Sequence, residues 1–394
     1  MNAGEAAAGA AADHPEPHGD AAAGPLQGIR VADFSRVLAG PHATMILADL
    51  GADVIKIERP DGGDPFRSFR GGLYSPHFIA FNRNKRSIRL DLQSEAGKKK
   101  LDALLASADV LIENYRPGVM DRLGFGVDAI RSRYPRLISC SISGFGSSGP
   151  YAERPAYDAV AGALGGVAAI MIDHDHPAAS GPTIADNVTG MYAAYGILGA
   201  LYEREKTGKG RRVEVNMLEA AIAFIPDTFS NFTRLQIEAH PRTRVAASQS
   251  YAFRCADGKL LALHLSSPQK FWESLVEVIA RPELKDDPRF ASRDGRVRHY
   301  LALEQELADA FIGHDRLYWM TRLEQADVPF APIQTMAEVL DDPQVVHLGT
   351  FYRQHHPNQG DLTLIRRPVL IDGSRDISSR PPPELGEHDT DVID

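Results

Sequence analysis

The sequence predicts an α/β protein built on an open, doubly wound sheet, and three observations carry that expectation. Residues 28–59 have the spacing of a strand–helix–strand unit, and strand-like and helix-like segments go on alternating as far as residue 216. After about residue 245 the pattern changes to a hairpin followed by amphipathic helices. A chain of 394 residues also exceeds one usual hydrophobic core, so two domains are expected.

The elements follow in order. Residues 28–35 (GIRVADFS) read as a buried strand, 41–50 as a helix with Pro41 in its first turn and Gly51 as its stop, and 54–58 as the next strand. That order implies a parallel pair joined by a right-handed crossover. A short strand at 87–91, a helix at 94–107 capped by Ser94, a strand at 110–114, a helix at 127–134 and a strand at 136–143 continue the alternation. Residues 144–150 (GFGSSGP) form a loop, 156–169 and 187–206 are helical, and 211–216 is a further strand. Residues 250–255 and 259–265 make a hairpin around Asp257-Gly258, followed by helices at 268–279, 300–312 and 315–325.

The expected division is a disordered tail over residues 1–24, a large Rossmann-like domain over 25–225 and 333–394, and a smaller α+β domain over 245–330. Strand candidates at 350–353 and 362–365 lie in the C-terminal part, which is expected to pack back onto the large domain.

Composition excludes several functions. The net charge of −9 gives no bulk attraction for nucleic acid or an anionic membrane, so an anionic ligand needs a local cluster of Lys and Arg. With only Cys140 and Cys255, neither a disulfide framework nor a cysteine zinc site is expected. The 14 histidines include no HExxH spacing, and no metal site is expected. No apolar run approaches the roughly 20 residues of a membrane span, and residues 1–24 lack the pattern of a signal peptide. A cytoplasmic location is expected.

One carboxylate stands out. Asp186 lies where a loop of small residues, Ser180-Gly181-Pro182-Thr183, turns into a long apolar helix. Locally it reads as the N-cap of that helix, its oxygens accepting the free N–H groups of the first turn. A helix N-terminus also favours the ionised form, so the same position suits a carboxylate nucleophile.

Upstream, the first strand–helix–strand unit invites a nicotinamide-cofactor reading, with Glu58 ending the second strand where a ribose would be held. The intervening loop is Ser35-Arg36-Val37-Leu38-Ala39-Gly40-Pro41, without the GxGxxG spacing, which makes a dehydrogenase remote. Basic residues recur where strands are expected to end: Arg36, Arg59, Lys85, Arg86, Arg116 and Arg122. Each alone reads as a solvated charge; together they suggest a site for a polyphosphate ligand.

These segments resemble the family III CoA-transferases, the group of formyl-CoA transferase and the carnitine CoA-transferase. The resemblance is carried by Ser35–Pro41, Gly51-Ala52-Asp53-Val54-Ile55-Lys56-Ile57-Glu58-Arg59-Pro60 and Asn84-Lys85-Arg86-Ser87-Ile88. It continues through Glu113-Asn114-Tyr115-Arg116-Pro117-Gly118, Gly144-Phe145-Gly146, Glu205-Lys206-Thr207-Gly208-Lys209-Gly210 and Leu385-Gly386-Glu387-His388. The resemblance maps the family's nucleophile onto Asp186. It implies coenzyme A along Arg36, Val37, Leu38, Ala39, Arg59, Leu90, Asn114, Tyr115 and Arg122, with Gly40, His77 and Tyr157 as candidates for the acyl pocket. It also implies an interlocked homodimer, an acyl-CoA donor and a carboxylic acid acceptor, no permanently bound cofactor, and coenzyme A thioester as substrate.

Two departures bear on specificity. No glycine-rich loop occurs between residues 225 and 280, and Leu38 stands where the oxalate-using members carry Gln. The related 2-methylacyl-CoA racemases pair the equivalent Asp with a His, where this chain has Tyr157. A phenol of pKa about 10 replaces imidazole poorly as a base near neutrality. The expected activity is therefore CoA transfer through an aspartyl anhydride and an aspartyl-CoA thioester. A racemase-like isomerase and a non-catalytic CoA-thioester binder are the alternatives.

Overall fold

The computed structural model describes residues 24–266, 269–375 and 379–392; the expected tail lies outside them except for its last residue. Six strands, β1 Arg30–Asp33, β2 Asp53–Glu58, β3 Lys85–Arg89, β4 Val110–Glu113, β5 Ile138–Ser143 and β6 Arg212–Asn216, form one sheet in the order β3-β2-β1-β4-β5-β6. Every neighbouring pair is parallel. The reversal of order between β1 and β4 is the doubly wound Rossmann arrangement, and it places a crevice above the carboxyl ends of those two strands.

The strands are joined by α1 Ala39–Ala48, α2 Pro76–Phe81, α3 Glu95–Ser107, α4 Val119–Arg122, α5 Val127–Arg133, α6 Asp158–Leu164 and α7 Ile184–Thr207. Helices α1 and α7 cover one face, where Ala43, Leu47, Ala193 and Ile197 pack on Val31, Val54, Ile112, Ile138 and Cys140. Helices α3 and α5 cover the other, where Leu101, Leu104, Leu105 and Ile130 meet Ala32, Ile55, Ile57 and Leu111. Because successive strand residues point to opposite faces, a strand covered on both sides reads as a continuous apolar run, as Val110–Ile112 of β4 does. Each buried Leu or Ile stabilises the fold by roughly 1.5–3 kcal/mol.

Two expected helices differ from the sequence pattern. The helix expected over 156–169 is split into α6 and a short 3-10 turn, Ala168–Ile170, because Gly165 ends α6 and Gly166 adopts φ +85°. The helix expected at 187–206 begins earlier, at Ile184, so Asp186 lies inside its first turn and Thr183 occupies the cap position. After β6 come α8 Met217–Phe224, α9 Pro226–Leu235 and α10 Pro241–Ser248, in a stretch the alternation left unassigned.

A second, antiparallel sheet, β7 Ser250–Arg254, β8 Leu260–His264 and β9 Phe330–Ile333, carries helices at Gln269–Val278, Tyr300–Phe311 and Arg316–Gln325. It has its own core of Tyr251, Phe253, Leu263, Trp272, Leu307, Phe311 and Trp319. A hairpin, β10 Phe351–His356 and β11 Gly360–Ile365, follows. Residues 379–392 then run beside β3: the Arg67 guanidinium donates to the Pro383 carbonyl at 3.1 Å, and the His388 N–H to the Ser87 carbonyl at 2.9 Å. No helix among the described residues is long and apolar enough to cross a membrane.

Candidate active site

Three elements meet at the carboxyl edge of the main sheet: the loop from β1 to α1, the residues after β4, and the first turn of α7. The meeting of α1 and α7 depends on Gly190. A Cβ there would lie 2.7 Å from the Ala39 carbonyl oxygen and about 3 Å from His42, so only glycine lets the helices come this close. Asp186 precedes Gly190 by four residues and shares its face of the helix. It thus lies one turn beyond α1, toward the Arg36–Ala39 loop.

Asp186 is half-buried, and its carboxylate accepts no hydrogen bond from the described residues. Its backbone N–H donates to the Asp158 carboxylate, at the start of α6, at 3.0 Å. Burial first, and the negative charge of Asp158 second, push its pKa up to about 6. The capping role expected for Asp186 is therefore not what the structure has: it lies inside the first turn, its carboxylate accepts none of the free N–H groups there, and its pKa is raised rather than lowered. At neutral pH it is still mostly ionised, with unbonded oxygens.

His42, facing the first turn of α7, has a ring buried against Phe81 at 5.7 Å between centroids. Burial outweighs a hydrogen bond to the Asn187 backbone and lowers its pKa to about 4, so the ring is neutral near pH 7.

The loop after β1 lies over a network of buried charges. Asp33 accepts from Thr44 and from the Lys85 ammonium at 3.2 Å, and Lys85 also donates to the Pro41 carbonyl at 3.0 Å. Burial alone would raise the Asp33 pKa, but Lys85 and Lys56 hold it below the usual carboxylate value. Burial lowers Lys85, which Lys56 also repels, to about 8 despite Asp33. Lys56 pairs with Asp64 at 2.9 Å; burial opposes its charge, but Asp64, Asp33 and Glu58 outweigh that and raise its pKa.

The expected ligand-binding residues divide into two groups. Arg59, Arg116 and Arg122 are exposed beyond the ends of β2 and β4, with no ion-pair partner among the described residues. Arg36 is half-buried, its guanidinium 4.6 Å from the centre of the Tyr115 ring. Lys85 and Arg86 are different. They begin β3 rather than end it; the Lys85 ammonium is completely buried beneath the loop on Asp33 and Pro41, and Arg86 pairs with Asp53. Neither is available to a ligand above the carboxyl ends.

The Leu90 side chain is buried in the core beneath α3, so a ligand would meet its backbone only. Leu38, Ala39 and Gly40 are buried at the start of α1, and a Cβ on Gly40 would overlap Ser35. The Asn114 amide is engaged with the Arg36 backbone, taking its N–H at 2.9 Å and giving an N–H to its carbonyl at 2.8 Å. Asn114 thus braces the loop.

Glu58, the residue that would hold a ribose in a dehydrogenase, is buried and accepts from Arg67, Ser87 and the Asp64 N–H. Nothing of it is left for a nucleotide. His77 packs among Phe66 and Phe69. Tyr157 is 70% exposed at the cap of α6, next to Asp158. Sequence reasoning missed Asp158, Asp64 and Lys56. Only Gly190 left a local trace, as a glycine inside a helix.

Known proteins are similar to this chain over nearly its whole length. The model of CoA-transferase family III matches residues 26–389. The chain is 34% identical to the human succinyl-CoA:glutarate CoA-transferase over 94% of its own length and 85% of the relative's. It is 35% identical to the formyl-CoA:oxalate CoA-transferase of Streptomyces avermitilis, over 93% and 94%. Among solved structures, a CaiB/BaiF family protein from Brucella suis superposes with a TM-score of 0.84 at 30% identity, over 95% of this chain and all of that one.

Proposed function

The chain belongs to CoA-transferase family III, and from that premise we propose that Asp186 carries coenzyme A from an acyl-CoA donor to a free carboxylic acid. The observation that supports the assignment is an unbonded, mostly ionised carboxylate one turn before Gly190, where α7 touches Ala39 at the end of the Arg36–Ala39 loop. Exposed Arg59, Arg116 and Arg122 suit the phosphates of coenzyme A.

An Asp186 oxygen attacks the thioester carbonyl; the C–S bond breaks, releasing CoA thiolate and leaving a mixed anhydride. The thiolate attacks the aspartyl carbonyl; the anhydride C–O bond breaks, releasing the donor acid and leaving an aspartyl-CoA thioester. The acceptor carboxylate attacks that thioester and expels the thiolate. The thiolate then attacks the acceptor's acyl carbon, giving the new acyl-CoA and free Asp186. Every attacking and leaving group is an anion, so no general base is required. That fits His42, which faces the first turn of α7, is neutral and is turned toward the Asn187 backbone. Because water would destroy both intermediates, the site must close around them.

Closure suits a homodimer, interlocked as the family resemblance implies. Met191, Tyr195 and Tyr202 on α7 and Phe224, Phe232 and Leu235 on α8 and α9 are exposed, and a partner subunit would cover them. A mass near 43 kDa rather than twice that in sedimentation would remove this part of the proposal. We also propose that residues 25–225 with the chain after 333 form the coenzyme-binding domain, and that the smaller one, expected over 245–330, runs on through β9 to Ile333, which pairs with Leu260. Two free, buried cysteines, Cys140 and Cys255, suit the reducing cytoplasm in which we place the enzyme.

Succinyl-CoA is the first donor to test, since the human relative is named for it. Buried Leu38, in place of a polar side chain, supports a preference away from formate and oxalate. The test is incubation with a panel of acyl-CoAs, trapping with hydroxylamine, and mass spectrometry of the peptides. A hydroxamate on Asp186, absent in Asp186→Asn, is expected. Normal transfer by Asp186→Asn would remove the assignment, and proton exchange at the α-carbon without transfer would favour the racemase.

A further inference from the structure

The Arg36–Ala39 loop occupies the place where nucleotide-binding folds use a glycine-rich turn, yet residues 35–39 contain no glycine. Side chains from distant segments hold it instead. The Ser35 N–H donates to Asp33 at 2.9 Å, and the Ser35 carbonyl accepts from Lys56 at 2.9 Å. Asn114 bonds both backbone groups of Arg36. The Val37 N–H donates to both oxygens of Asp64, at 3.2 and 3.3 Å.

Val37 is the anomaly. Its φ is +70°, a left-handed conformation that a β-branched residue avoids and that persists only where its surroundings enforce it. The enforcing group is Asp64, itself 1% exposed, bound to Lys56 at 2.9 Å and to the Phe66 N–H at 2.9 Å. Asp64 also caps the 3-10 turn Pro65–Ser68 and neutralises Lys56, and beside these roles both its oxygens take the Val37 N–H.

We propose that Asp64 is a positioning residue for thioester binding: by holding the Val37 N–H it keeps the Arg36–Ala39 loop in the left-handed shape that receives coenzyme A. Asp64 touches no substrate, and it acts through Val37. The inference rests on the proposed assignment of that loop to coenzyme A. The competing account is that Asp64 only neutralises buried Lys56, in which case the conformation of Val37 is incidental.

A double-mutant cycle separates the two, read as the dissociation constant of free coenzyme A by calorimetry and the KM for succinyl-CoA. Asp64→Ala is expected to weaken coenzyme A binding about tenfold and to raise KM in parallel, with a smaller change in kcat. Adding Val37→Gly to Asp64→Ala should recover at least half of that loss on a logarithmic scale, because glycine reaches positive φ without strain. If Asp64 serves only Lys56, Val37→Gly recovers nothing, and the proposal is overturned; unchanged binding by Asp64→Ala overturns it as well.

Should Asp64→Ala fail to fold, Val37→Pro leaves the Asp64–Lys56 pair intact while removing the N–H and forbidding positive φ. It is expected to lose coenzyme A binding, and normal binding would sink the idea. A wild-type protein that binds no coenzyme A refutes the assigned site itself. A wild type that binds it, beside an Asp64→Ala that binds equally well, refutes only the role of Asp64.

Discussion

The Asp186 N–H donates to the Asp158 carboxylate at 3.0 Å, so the proposed nucleophile and a second acid are tied together through the backbone. The bond fixes the first turn of α7, and the Asp158 charge is the second cause, after burial, of the raised Asp186 pKa.

A pH dependence follows. Only ionised Asp186 attacks a thioester, so the rate should rise with pH around a midpoint of about 6 and level off above 7. Asp158→Asn keeps an oxygen for the Asp186 N–H but removes the charge. The limb should then move to lower pH, part of the way toward the ordinary value of 3.8, burial remaining. An unmoved limb in kcat/KM against pH would show that Asp158 does not tune the nucleophile.

Gly190 sets the spacing of α1 and α7. Gly190→Ala places a Cβ against the Ala39 carbonyl and should destabilise the protein by about 1–3 kcal/mol in urea unfolding. Because Asp186 sits one turn away, kcat should fall more than this loss of stability explains. Full activity in a folded variant would mean that Asp186 does not depend on the contact.

Arg59 and Arg122 are exposed and unpaired among the described residues, as groups awaiting an anion are. Replacing either with Ala should raise the KM for acyl-CoA about tenfold, the worth of one charge-assisted hydrogen bond. The same variants should treat an acyl-pantetheine, which lacks the nucleotide phosphates, like the wild type. An equal loss with both substrates would move the arginines' role away from phosphate.

Glu58 and Arg67 form a buried pair, bonded at 2.7 Å through both oxygens, with Arg67 over the Phe78 ring at 3.7 Å. Glu58→Ala leaves a guanidinium buried without its counterion and should destabilise the fold by about 3–5 kcal/mol. A drop below about 1 kcal/mol in denaturant unfolding would show that water reaches Arg67.

Much of the fold was legible in the sequence. The ends of β1, α1 and β2 lie within a few residues of expectation, because Pro41, Gly51 and the alternating apolar runs are local signals. Ser94 caps α3 as expected, accepting from the Gly97 N–H. The start of α7 was misplaced because Asp186 looked like a cap, whereas the chain is already helical at Ile184 and Asp158 takes the N–H. Lys85 read as a ligand-binding cation, since nothing near it announces Asp33, 52 residues away. Asn114 was recognised as part of the site, but its hold on Arg36 spans 78 residues and has no local pattern. Contacts of that kind become visible only once the strands are side by side.

That brace also bears on how the protein acquires its shape. A glycine-rich turn can form as soon as its own residues meet, but this loop cannot. It needs Asp33 from β1, Lys56 from β2, Asp64 beyond it and Asn114 from the end of β4. Closing so long a stretch of chain loses entropy before any of these bonds can form, so the loop is completed late, after β1, β2 and β4 have assembled. A chain lacking β4 would leave both backbone groups of Arg36 without their Asn114 partner, and coenzyme A bound as proposed should protect amide hydrogens across the central strands from exchange.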